Sequence, residues 1–186
     1  RGALNRQLLW LIQHHPELSL TTMTAMLAPR GGRWNTPNDY QRLTSAWEQA
    51  LANHSDSADV LFNAGAFFAQ TDPERALALL QRVRSLDTSR DLDTLPKIAS
   101  IYASAIETHS KLRNVIENST DSALLSEVGT ALTGRGMEEK GLELLQRDID
   151  LDPGNPRWRD ALESAKAEPI RQRNYRHALD RFRARQ

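Results

Sequence analysis

The stretch GTALTGRG at 129–136 has glycine spacing that could cradle a phosphate, and it is the first place to look for chemistry. A phosphate loop also needs a lysine and a hydroxyl residue, supplied by a strand that runs into the loop. Here Arg135 and Gly136 occupy those places and the preceding residues read as a helix, so phosphate binding is not expected. His14, His15 and Glu17 are metal-ligand types close together in sequence. Adjacent helical residues face different directions, and Pro16 ends the helix between them, so this reads as a helix end with its histidines near the carbonyl dipole. Asp148, Asp150 and Asp152 alternate as in a calcium loop, but without the glycine and closing glutamate such a loop uses. They are expected to form a solvated helix face. The chain has no cysteine, nucleophile elbow, HExxH or dinucleotide fingerprint. Hence no catalytic residue, metal site or cofactor is expected.

Charge supplies one further candidate. Arg171, Arg173, Arg176, Arg181, Arg183 and Arg185, against the single acid Asp180, give residues 170–186 a formal +5, and since the whole chain is neutral the remainder carries −5. Such a patch can attract nucleic acid, an anionic surface or an acidic protein. The same segment carries an apolar stripe, Tyr175, Ala178, Leu179 and Phe182, so its arginines can equally decorate the solvent face of a capping helix and pair with the acidic remainder.

The elements that would position these residues are set by composition and by recurrent stops. With 26% charged and 39% apolar residues the chain is neither disordered nor a general polyanion binder. Its strongly apolar run near the start, LLWLI at 8–12, is far short of the roughly 20 residues a spanning helix needs. The first residue is Arg1, which suggests a processed or excised chain whose missing part could hold an activity, and leaves the compartment open between cytoplasm and periplasm. A helical stripe of Leu144, Leu145, Ile149 and Leu151 runs into Asp152, Pro153, Gly154, Asn155 and Pro156, a stop that proline enforces by removing a donor and restricting the residue before it. Comparable ends recur at Asn53, Leu86 and Asn118, at intervals of 33, 32 and 33 residues up to Leu151.

Within the intervals Gly65, Ala99 and Gly129 supply a small residue about twenty positions before each stop. Leu61, Gly65 and Phe68, a break at Thr71, Asp72 and Pro73, then Ala76, Leu80 and Val83, make two helices in the unit 58–88. Leu125, Gly129, Leu132, Gly136, Gly141, Leu145 and the closing LDPGNP repeat the order in the last unit. This pattern and period resemble the tetratricopeptide repeat, as found in bacterial proteins of that family. The unit 90–120 departs from it, with Thr108 for a small residue and Leu112 and Val115 in place of a bulky-then-small pair.

The resemblance implies an all-α, right-handed α-solenoid of antiparallel helix pairs in a single domain spanning 1–186. The first repeat covers 1–55 with an inserted loop at 16–38 and a short helix at 20–28. Further repeats cover 56–88, 89–120 and 121–153, and capping helices occupy 156–186, a helix at 157–167 and a last one at 170–185. It also implies a concave face, lined by the first helix of each pair, that takes a protein or peptide segment. On that face it points to Asn63, two residues before Gly65, and Lys97, two before Ala99, with Phe62, Ala66 and Gln70 beside them. Glu127 at the fourth unit's equivalent place disfavours a clamp for a terminal carboxylate. The expected role is a non-catalytic interaction scaffold. The alternatives are a docking or regulatory domain of a larger, enzymatic protein, and a nucleic-acid or anionic-surface binder led by the arginines.

Overall fold

The computed structural model describes residues 2–18, 37–154, 162–164 and 166–167. Among them every regular element is helical. The chain divides into two compact units, Arg1–Thr94 and Leu95–Gln186, with the boundary inside one helix.

In the first unit α1 (Gly2–His14) pairs with α2 (Pro37–Asn53), α3 (Ala58–Phe68) pairs with α4 (Pro73–Leu86), and α2 also meets α3. A single 3-10 turn, Thr88–Arg90, follows α4. The starts are set locally. Ser57 accepts from the Val60 N–H and Asp72 from the Arg75 N–H, while Pro73 sits in the first turn, where its missing N–H costs nothing. The core is Leu8, Ile12, Leu43, Trp47, Phe67, Phe68, Leu80 and Val83. Trp47 and Phe67 lie 6.2 Å apart between ring centroids, and the Arg75 guanidinium covers the Phe68 ring at 4.1 Å. Gly65 permits the close approach of α3 to α4, because a Cβ there would lie 2.9 Å from Leu80 Cγ. The short helix expected at 20–28 lies outside the described residues.

The second unit holds the greater part of α5 (Asp91–Ala105), then α6 (Ser110–Glu117), α7 (Ser122–Gly134) and α8 (Glu138–Leu151). Asp121 caps α7 by accepting from the Leu124 N–H, and the α7–α8 break turns at Gly136, whose φ of 83° suits glycine. In the irregular third unit Val115 is 50% exposed, leaving Leu112 and Ile116 to bury that helix. Arg147 ties α8 back to the end of α6 by donating to the carbonyls of Glu117 and Ser119. Residues 162–164 and 166–167 are helical, within the span expected for a helix after Pro156, and Leu162 is buried against Leu145, Leu142 and Ile149. The helix expected at 170–185 lies outside the described residues. Among those described, no helix is long and apolar enough to cross a membrane.

One expectation is overturned. Asp148 is not on a solvated face: it is fully buried, whereas Asp150 and Asp152 are exposed. Residues two apart on a helix point about 200° apart, so alternation cannot keep three carboxylates on one side. Asp148 instead follows Leu144 and Leu145 at the four- and three-residue spacing of the buried stripe.

Candidate functional site

Helix α3 is the element on which the expected binding residues concentrate. Its sequence ADVLFNAGAFF is so apolar that Val60, Leu61, Ala64, Gly65, Phe67 and Phe68 are all buried. The strip left open is Asp59, Phe62, Ala66 and Gln70, at spacings of three and four, with Phe62 and Ala66 half-buried and Gln70 exposed at the helix end. These side chains share one face because 3.6 residues make a turn.

That face is already partly engaged. Arg90, delivered by the 3-10 turn, places its Cζ 5.6 Å from the Phe62 ring centroid. Its Nη1 lies 2.7 Å from Asp59 Oδ1 but off the hydrogen-bond direction, so the contact is an ion pair. Arg84 in turn donates to both oxygens of Asp91, at 2.9 and 3.2 Å, at the entry to α5. The arginine over Phe62 gives the anchor a cationic lid of modest strength at this partly exposed site.

Asn63 is placed differently from the expectation. It is 4% exposed, and its Nδ2 donates to the backbone carbonyls of Pro16 at 3.0 Å and Leu18 at 2.9 Å. Both hydrogens of the amino group are therefore used by the chain itself, 47 and 45 residues earlier in sequence. The Asn63→Ala variant is expected to lose about 1–2 kcal/mol of stability, because it leaves two carbonyls without their donor. Urea unfolding followed by circular dichroism measures this, and an unchanged midpoint would show that water replaces the amide at no cost.

Lys97 lies half-buried on α5, in the second unit, whereas Phe62, Asn63, Ala66 and Gln70 belong to the first. Glu127 is half-buried on α7. The arginines from Arg171 to Arg185 lie outside the described residues. His14 stacks on the exposed Trp10, centroids 4.7 Å apart and 16° between planes, with its Nδ1 2.8 Å from the Trp10 carbonyl, while His15 Nδ1 is 3.4 Å from Glu17 Oε1. The His15 ring also lies against Trp10, with centroids 5.5 Å apart, so both imidazoles are engaged in local contacts at the helix end. Among the described residues no three metal-binding side chains lie together.

Sequence reasoning missed Arg90 and the Pro16–Leu18 turn. Arg90 gives no signal, since its partners depend on the turn geometry after α4. Asn63 does give one: it is a lone amide inside an apolar run, and a buried amide must find hydrogen-bond partners. No protein family, curated protein or solved structure matches this chain.

Proposed function

We propose that the chain is a non-catalytic scaffold of tetratricopeptide-like repeats, a right-handed solenoid that takes a protein or peptide segment along the first helices of its pairs. The observation that supports this reading best is on α3. A half-buried phenylalanine stands beside a half-buried alanine, and the neighbouring amide at Asn63 already holds main-chain carbonyls. An aromatic anchor next to a small residue and a main-chain hydrogen-bonding group is the combination by which grooves take peptides. Binding energy comes from the anchor and orientation from the polar groups beside it on the same unit.

Affinity capture from the source cells tests it. Ala66→Arg puts a bulky charge beside Phe62 and is expected to weaken capture at least tenfold, as is Phe62→Ala through loss of the anchor, each equal to about 1.4 kcal/mol or more. Folding of both variants is checked by circular dichroism. Capture indifferent to both variants but abolished in a chain ending at Pro169 would move the function to the arginine-rich end, where binding should also fall steeply with salt.

A further inference from the structure

We infer that the Pro16–Leu18 turn is an internal occupant of the backbone-reading position at Asn63, so that the first unit holds a piece of its own chain where a proline-containing peptide segment would otherwise lie. The inference rests on the groove reading above and adds to it the state of the site and the chemistry of its partner.

The contact has the form of peptide recognition. One amino group reads two main-chain carbonyls two residues apart, at 3.0 and 2.9 Å, and these bonds bring together parts of the chain more than 40 residues apart. Asn63 makes no hydrogen bond to a side chain of the turn, so this contact takes backbone acceptors rather than a particular side-chain sequence. Pro16 is buried and has no N–H, which lets a carbonyl be presented at a covered position without leaving a donor unmet. By contrast Leu18 is 49% exposed and Glu17 is exposed, its pair with His15 lying on the surface. The turn is therefore held by the Pro16 ring, two neutral hydrogen bonds to Asn63, and the helix-end bonds His15 N–H to Leu11 O and Leu18 N–H to His15 O. With Glu17 exposed and Leu18 half exposed, Pro16 is the one buried side chain of the turn.

A tethered occupant competes at an effective concentration in the millimolar range. An external segment of like chemistry therefore binds with an affinity reduced by the fraction of molecules in which the turn is released. The partner this selects offers two main-chain carbonyls flanking or including a proline, with little demand on its other side chains.

Two readouts on the full chain test the proposal. The first is cleavage after the exposed Glu17 by a glutamyl endopeptidase, which reports release of the turn. Asn63→Ala, which removes the donors without adding a charge, and Pro16→Gly are each expected to speed this cleavage at least fivefold while circular dichroism stays unchanged. The second is fluorescence anisotropy with a labelled, capped peptide HHPELSL, the chain's own residues 14–20. Pro16→Gly should bind it at least tenfold more tightly than the intact protein, and the double variant Pro16→Gly, Asn63→Ala should lose that gain. Unchanged cleavage in either single variant overturns the proposal, because the contacts then do not hold the turn. So does faster cleavage without peptide binding, or binding that ignores Asn63. The two readings fail separately. Partner capture lost on Ala66→Arg, without peptide binding by the opened protein, keeps the groove and removes self-occupation. Peptide binding through Asn63 with no capture by the intact chain does the reverse.

Discussion

Replacing Asp148 with valine is expected to raise stability by about 1–4 kcal/mol at neutral pH, as well-packed apolar residues do when they take the place of buried ionic groups. Asp148 is fully buried, and among the described residues neither carboxylate oxygen meets a partner in hydrogen-bond geometry. Desolvation by burial pushes its carboxyl above the usual aspartate range; the nearby Ser122 hydroxyl opposes this, while the charges of Asp152 and Asp121 add to it. The valine is tolerable on sequence grounds, since the places one, two and three intervals upstream are Val115, Val83 and Ala50, of which the last two are buried. The pH dependence has a definite sign. The folded state holds the proton more tightly than the unfolded chain, so this residue favours folding most at acid pH. Its contribution declines as pH rises through the unfolded value near 3.8, and levels off once the folded carboxyl has also ionised. The stability gap between Asp148→Val and the native protein should therefore be small near pH 3.5 and widen towards pH 7. Asp148→Asn should show the same trend with a smaller gain, because its amide is buried without partners. Urea titrations at four or five pH values measure the gap. A gap that narrows with rising pH would mean that a cationic group compensates the carboxylate.

Gly141→Val is expected to cost at least about 3 kcal/mol, at or above the usual range for overpacking. A Cβ at position 141 would lie 2.5 Å from Thr133 Cγ2, 2.7 Å from the Gly129 carbonyl oxygen and 2.9 Å from the Thr133 nitrogen. Two of those atoms are backbone and cannot swing aside, so α7 and α8 would have to separate. Gly129 closes the same contact from the other helix, its added Cβ falling 2.8 Å from Leu145 Cγ and 2.9 Å from the Gly141 carbonyl oxygen. Separation would also strip contacts from Leu132 and Leu145, both fully buried. Gly134, also in α7, is the control: nothing lies within 4 Å of a Cβ there, and Gly134→Ala should be neutral or stabilising by up to about 1 kcal/mol. If both glycine variants melt like the native protein, α7 and α8 do not pack at this distance in solution.

How far the sequence could be read differs from residue to residue. The break read at Thr71, Asp72 and Pro73 separated two helices, and the observed cap at Asp72 lies there. Gly65 and Gly129 stood out as small residues where helices meet, and each does face its partner helix closely. These readings succeed because capping and close approach are local demands, met by residue types a few positions apart.

Asp148 and Asn63 show the opposite case. Alternation of Asp148, Asp150 and Asp152 suggested a solvated face, but a helix turns 100° per residue, and the carboxylate that falls on the Leu144 and Leu145 stripe is carried inside with it. Asn63 was marked by its spacing from Gly65 as a surface that meets a partner, yet the carbonyls it binds come from Pro16 and Leu18. The cationic cover of Phe62 likewise depends on the course of the chain through Thr88–Arg90. By itself, then, the sequence determined the helical class of the described residues, the helix starts and stops, and the positions where helices must approach closely, because each follows from local backbone chemistry and a 3.6-residue period. Only the tertiary structure decided which polar groups are buried and what they bind, because a hydrogen bond between residues more than 40 apart is set by how helices pack and not by the types of the two residues that make it.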